Sequence, residues 1–166
     1  MARCCLILFF LSAVARGEPL KEWEPYAKTG LFPKESPLWL APDMEKEPMA
    51  AYTARLLDAA RGADAKAMAT LGRFFFVRGD AARAAEWLGK AARAGHAGAQ
   101  LDFGLMRWRG VDEAANPVEA YAWLWLATWG GAPGADETLR QLSSQFSAGQ
   151  IVAGVQLAAG LQRRMP

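Results

Sequence analysis

Ala67-Met68-Ala69-Thr70-Leu71-Gly72-Arg73-Phe74-Phe75 returns further along the chain as Ala99-Gln100-Leu101-Asp102-Phe103-Gly104-Leu105-Met106-Arg107. The offset is 32 residues, the step from Gly72 to Gly104. A second stretch follows each copy. Ala84-Ala85-Glu86-Trp87, then Ala91, Ala92 and Gly95, aligns with Ala120-Tyr121-Ala122-Trp123, then Ala127, Thr128 and Gly131, at an offset of 36, the step from Trp87 to Trp123. The difference of four residues falls in the Gly110–Asn116 loop, where added length costs little chain entropy. Each repeated position has a physical reading. Gly72 and Gly104 let a neighbouring helix approach where a Cβ would intrude, and Trp87 and Trp123 fill the gap between paired helices. Ala84, Ala91, Ala120 and Ala127 keep the packing distance small. Gly79, Gly95, Gly110 and Gly131 permit tight reversals. A helix pair of this size cannot bury its apolar face alone, so copies are expected to stack.

From Glu45 onward apolar residues recur at helical spacing, and local signals cut the run into pieces. A leading helix is expected from Pro48 to Arg61, with proline in its first turn. Asp64 caps a second helix running to Arg78, and Asp80 caps a third from Ala81 to Ala94. Ala97 to Arg109 is the fourth. Asn116-Pro117-Val118-Glu119 reads as a capping box opening a fifth, which ends near Trp129. Gly130-Gly131-Ala132-Pro133-Gly134 cannot remain helical, so a sixth helix begins at Ala135 and runs to Gln145. Ser147-Ala148-Gly149-Gln150 is a second capping box, and the last helix extends to Arg164. No β alternation is present. The expectation is an all-α chain with short connections and antiparallel neighbours.

Together, A-x-x-x-L-G, then G-D, then A-x-x-W-x-x-x-A-A-x-x-G-H-A-x-A-Q resembles the Sel-one-like repeat, a branch of the tetratricopeptide-like helical solenoids. Gly95-His96-Ala97-Gly98-Ala99-Gln100 with Phe103-Gly104-Leu105-Met106 is the nearest match, and the resemblance covers residues 64–131. The first copy has only Arg78-Gly79-Asp80 in place of the usual longer glycine-rich loop, and Arg107 stands where the family usually has an aromatic. The resemblance implies a short right-handed α/α solenoid of stacked antiparallel helix pairs. It also implies a scaffold for protein or peptide contact on the face lined by the first helix of each pair, without catalysis.

The N-terminus reads as an address. Arg3 precedes an apolar run from Cys4 to Ala15, and small residues follow at Ser12-Ala13-Val14-Ala15-Arg16-Gly17. This is the charge, core and exit pattern of a secretory signal. About twelve apolar residues are too few to span hydrocarbon, which takes around twenty. The expected organisation is a signal peptide over 1–17, a Pro-rich arm over 18–47, a leading helix over 48–63, two repeats over 64–131 and a C-terminal helical pair over 132–166. The protein is expected to be periplasmic or secreted, with no membrane insertion after cleavage. The arm carries Trp23, Tyr26, Phe32, Trp39 and Leu40 among its prolines. Those aromatics suit either packing onto the helical body or holding a partner.

The chain has 166 residues, 52% of them hydrophobic, with two Cys, one His and a formal charge of +2. Both Cys lie in the signal, so a disulfide framework is excluded, and separated zinc ligand pairs are lacking. Loss of residues 1–17 removes Arg3 and Arg16 and leaves equal numbers of basic and acidic residues, which gives nucleic acid no strong basic field. Seven Trp and eight Phe are too much apolar surface for a disordered chain.

No catalytic, cofactor-binding or metal-binding set is expected. His96 sits at the repeat turn and reads as a packing or capping residue, with no second His to make a metal site. Asp64, Asp80, Glu86, Asp112 and Glu119 fall at caps or first turns, where carboxylates complement the helix dipole. Ser143-Ser144 lacks a base, and the glycine-rich stretch after Trp129 follows no strand and precedes no lysine. Helical spacing from Gly72 places Lys66, Arg73 and Phe76 on one face. From Gly104 it places Leu105, Trp108 and Arg109 on the matching face. Aromatic and arginine side chains anchor interfaces, so these six are the expected partner contacts. Trp123 reads as core and Trp129 as exposed. The function expected is an adaptor for a protein or peptide in the bacterial envelope. The alternatives are an accessory part of an enzyme system acting on cell-wall material and a neutralising partner of a secreted protein.

Overall fold

The computed structural model describes residues 49–111 and 113–166. The expected signal, the Pro-rich arm and Asp112 lie outside the described residues. Among the described residues there are seven helices and no strand: α1 (Met49–Arg61), α2 (Ala65–Val77), α3 (Ala81–Arg93), α4 (Ala97–Arg109), α5 (Pro117–Trp129), α6 (Ala135–Ser143) and α7 (Ala148–Gln162). The all-helical reading therefore holds.

Five helices, α2 to α5 and α7, start on a side chain that accepts an amide proton the helix leaves free, whereas α6 follows Gly134 without one. Asp64 accepts from the N–H groups of Lys66 at 2.8 Å and Ala67 at 3.2 Å. His96 Nδ1 accepts from Ala99 N–H at 3.1 Å. Those two caps are 32 residues apart, as the first halves of the repeat require. Asp80 accepts from Arg83 N–H at 3.0 Å and Asn116 from Glu119 N–H at 3.1 Å, and these caps are 36 apart, as the second halves require. Ser147 and Gln150 form the expected capping box. The expected box at Asn116 is only half made. The Glu119 carboxylate is held by Arg107 and by Trp123 Nε1, so the Asn116 N–H donates instead to Arg107 O at 2.8 Å.

Helix reversals follow the same rule. Ala63, Gly95 and Gly131 have φ of 64°, 82° and 71°, and their N–H groups donate to Ala60 O, Ala92 O and Thr128 O, each at 3.1 Å. The next residues, Asp64, His96 and Ala132, donate to Ala59 O, Ala91 O and Ala127 O. Gly79, with φ of 77°, donates to Phe76 O at 3.0 Å and Asp80 to Phe75 O at 2.9 Å, so one turn is built four times. Left-handed backbone is natural for glycine and costs alanine about 1–2 kcal/mol, which makes Ala63 the strained copy.

Packing repeats as well. A Cβ on Gly72 would lie 2.5 Å from Leu88 Cγ and 2.9 Å from Leu88 N. One on Gly104 would lie 3.1 Å from both Leu124 Cγ and Leu124 N. Leu88 and Leu124 are themselves 36 apart, so each glycine admits the corresponding leucine of the next helix. Ala84, Ala91, Ala120 and Ala127 are fully buried. Trp123 is buried, with its ring edge-on to Phe103 at 5.7 Å, whereas Trp87 is half-buried beneath Lys90.

Each helix packs on its predecessor through α5; α6 and α7 then both dock on α5. The C-terminal segment is therefore organised around α5 rather than around a tight mutual pair. Gly154 makes this possible, since a Cβ there would lie 2.7 Å from Tyr121 Cδ1. Phe146, at the corner between α6 and α7, fills the space against Trp108 and Tyr121, with ring centroids 4.6 and 5.2 Å away. Past α7, Met165 Sδ lies 3.5 Å from Gln100 Nε2, which also donates to Ala92 O. Among the described residues, no helix is long and apolar enough to cross a membrane.

Candidate functional site

The six expected contact residues lie on α2 and α4, and the structure separates them. Lys66 is exposed at the start of α2. Arg73 is mostly covered, and its Nε donates to Asp102 Oδ2 at 2.7 Å. Phe76 is half-buried against the core. Leu105 is 3% exposed and sits with Leu101, Leu124 and Phe146 in the second apolar cluster, so it belongs to the interior and not to a binding wall. Trp108 is half-buried against Phe146. Arg109 is half-buried, and loss of solvent lowers its pKa from the ordinary arginine value. Of the six, Lys66 alone is exposed; Phe76 and Trp108 pack against different apolar clusters, and an Arg109 guanidinium nitrogen is buried.

A buried polar group joining α2 and α4 contains a residue that helical spacing from the repeat glycines did not select. Asp102 is fully buried on α4, and its partner Arg73 reaches across from α2. Its Oδ1 is buried without a hydrogen-bond partner. Burial pushes the Asp102 pKa upward, against the opposing pull of Arg73. His96 stands beside the pair, and Gly98 leaves the room: a Cβ there would lie 3.0 Å from an Arg73 guanidinium nitrogen and 3.3 Å from His96 Cε1. Burial and the Arg73 charge both lower the His96 pKa, which favours the neutral imidazole whose Nδ1 caps α4. The cluster ties α2 to the start of α4. Sequence held one signal for it. Asp102 aligns with Thr70, one turn before Arg73 in the other copy, so opposite charges occupy neighbouring turns of successive copies.

Arg107, the departure from the repeat pattern, has a partner-for-partner explanation. In the first copy Arg83 lies over the Phe75 ring at 4.4 Å. In the second, Arg107 replaces Phe75 and Glu119 replaces Arg83, and these two pair at 2.9 Å, joined by Glu113 at 3.0 Å. Burial acts to lower the Arg107 pKa, but the two carboxylates outweigh it and raise it. A cation–aromatic contact is exchanged for an ion pair at the same place.

Among the described residues, no group of three or more His, Cys, Asp or Glu side chains is placed to hold a metal ion. Compared with known proteins, the chain finds no matching family model, curated protein or solved structure.

Proposed function

We propose that the chain is an exported helical-repeat adaptor, a short α/α solenoid of Sel-one-like repeats that holds a protein or peptide in the bacterial envelope. The carrying observation is the duplicated geometry: the same caps, the same reversal and the same glycine–leucine approach recur at the two offsets read from the sequence. Stacked units of this kind offer an extended side rather than a reaction pocket. Exposed Lys66 and half-buried Phe76, Trp108 and Arg109 on α2 and α4 are of the cationic and aromatic types that interfaces favour. Arg73 joins the two helices through Asp102.

The test is chemical crosslinking in an envelope-bearing bacterium that expresses the full chain, with Lys66→Glu combined with Arg109→Glu as the comparison. A defined partner recovered with the original chain, and lost with a variant that keeps its helical circular dichroism, supports the reading. Recovery unchanged by the double variant refutes the assigned contacts. The intact mass of the exported form tests the address: it is expected to begin near residue 18, and retention of residues 1–15 contradicts export by a cleaved signal.

A further inference from the structure

Thr53, Ala54 and Leu57 of α1 and Phe74, Phe75 and Arg78 near the end of α2 line a groove of about 860 Å³, which Asp80 and Arg83 close at the start of α3. Its floor is apolar. Phe74 and Phe75 meet edge to face with ring centroids 5.4 Å apart, and Leu57 and Phe74 pack against the core that contains Phe75. Its rim is cationic. Arg78 and Arg83 are exposed, and their guanidinium groups lie over the Phe74 and Phe75 rings at 5.4 and 4.4 Å. Asp80 is committed to the rim itself, accepting from Arg83 N–H at 3.0 Å and from Arg83 Nε at 2.5 Å. These bonds hold the Asp80 carboxyl below its ordinary pKa, so it stays ionised and offsets one of the two cations. The lining keeps an excess of positive charge.

This arrangement selects among ligands. A guanidinium stacked on a ring keeps its N–H groups in its own plane, directed past the ring toward a carboxylate that approaches from the side. Stacking also holds the fork in place, so less freedom is lost when a carboxylate binds. The same stacking covers the outer faces of Phe74 and Phe75, which disfavours a nucleic-acid base, since bases bind by lying on a ring face. Ring edges and the aliphatic surfaces of Ala54 and Leu57 are left for an apolar side chain. Thr53 and Leu57 are one turn apart on α1, about 6 Å, close to the spacing of alternate side chains in an extended peptide, about 7 Å.

We propose that the α1–α2 groove docks an extended segment of a partner protein in which an apolar side chain is flanked by Asp or Glu. The apolar side chain lies against Leu57 and the Phe74–Phe75 edge, and the carboxylates pair with the guanidinium edges of Arg78 and Arg83. The groove lies on the α1 side of α2, so it does not depend on the contacts assigned above to α2 and α4, which the crosslinking experiment tests separately.

The test is fluorescence anisotropy of the full chain with labelled eight-residue peptides. One peptide places Trp and Leu between Glu residues, a second has Gln for every Glu, and labelled oligothymidylate is the third probe. The acidic peptide is expected to bind, and the Gln peptide to bind at least about tenfold more weakly. Arg78→Gln is expected to weaken the acidic peptide about fivefold with little effect on the Gln peptide, and with helical circular dichroism retained. Ala54→Glu, on an exposed wall position, is expected to act in the same direction, as is added salt. Arg163→Gln, the same charge change on exposed α7 surface, is expected to leave the affinity unchanged. No binding of the acidic peptide, equal binding of the Gln peptide, or indifference to Arg78→Gln overturns the inference. Equal losses from Arg78→Gln and Arg163→Gln overturn it in favour of unspecific charge attraction, and tighter binding of the oligothymidylate overturns it in favour of nucleic acid.

Discussion

Replacing Gly72 with alanine sets two effects of known sign against each other. Alanine in a helix interior is favoured over glycine by about 1 kcal/mol. Against that, the new Cβ would sit 2.5 Å from Leu88 Cγ and 2.9 Å from Leu88 N. The side-chain contact alone could be relieved by a rotamer change. The contact with backbone nitrogen cannot, so α2 and α3 must move apart, and overpacking of this kind costs about 1–3 kcal/mol. Because helix backbone has to move, the clash dominates, and Gly72→Ala is expected to destabilise the protein by about 1 kcal/mol net, and by up to about 2 kcal/mol. Gly104 is the internal comparison. Its three nearest contacts lie at 3.1–3.2 Å, which a shift of a few tenths of an ångström relieves. Gly104→Ala should therefore fall within about 0.5 kcal/mol of the original chain, the small clash cancelling the propensity gain. Gly160 completes the series: nothing lies within 4 Å of its added Cβ, so Gly160→Ala should stabilise by up to about 1 kcal/mol. Urea unfolding followed by far-UV circular dichroism measures all three, with an unchanged slope showing that the same unfolding is compared. A Gly72→Ala protein as stable as Gly104→Ala refutes the close approach on which the packing rests.

Other substitutions probe the turns and the polar cluster. Ala63→Gly relieves a left-handed alanine, and the gain of about 1–2 kcal/mol outweighs the added freedom of the unfolded chain at about 0.4–1 kcal/mol, so a higher urea midpoint is expected. Arg73→Ala strands the fully buried Asp102 carboxylate and should cost about 3–5 kcal/mol, more than Asp102→Asn, which leaves Arg73 with a neutral acceptor and partial access to water. Since burial already raises the Asp102 pKa, removing Arg73 raises it further. The folded Arg73→Ala protein then binds a proton the unfolded chain does not, so its deficit should shrink as pH falls toward the ordinary value of 3.8. His96 gives the opposite sign. Its folded pKa lies below the ordinary 6.5, so its contribution is complete above that pH and is lost as pH falls through 6.5 toward the folded value, where protonation removes the acceptor for Ala99 N–H. His96→Asn should keep the cap, as Asn116 does for α5, and abolish that part of the pH profile.

The helices were legible because each boundary is written locally. A capping side chain, a residue with positive φ, or both mark each turn, so the expected starts at Ala81, Ala97, Pro117, Ala135 and Ala148 coincide with those observed. Only the ends drifted: α6 stops at Ser143 and α7 at Gln162, each two residues short of expectation, since no strong stop signal fixes a final turn. The candidate contact face was less legible. Helical spacing gives the direction of a side chain but not the width of the covered arc. On α4 that arc is very wide, since every residue from Ala99 to Arg107 is buried, and Leu105 is lost to the interior for that reason. The Arg73–Asp102 pair joins residues 29 apart on helices that are not consecutive. It depends on how α2 and α4 are rotated toward one another, which local periodicity does not encode.

The central claim is that two copies of one helical unit stack with equivalent contacts. Nuclear Overhauser effects between the Gly72 α-protons and the Leu88 methyls, and between the Gly104 α-protons and the Leu124 methyls, test it most directly. Both are expected to be strong in the folded protein. Absence of either, or contact of Gly72 with Leu124 in place of Leu88, would contradict the account.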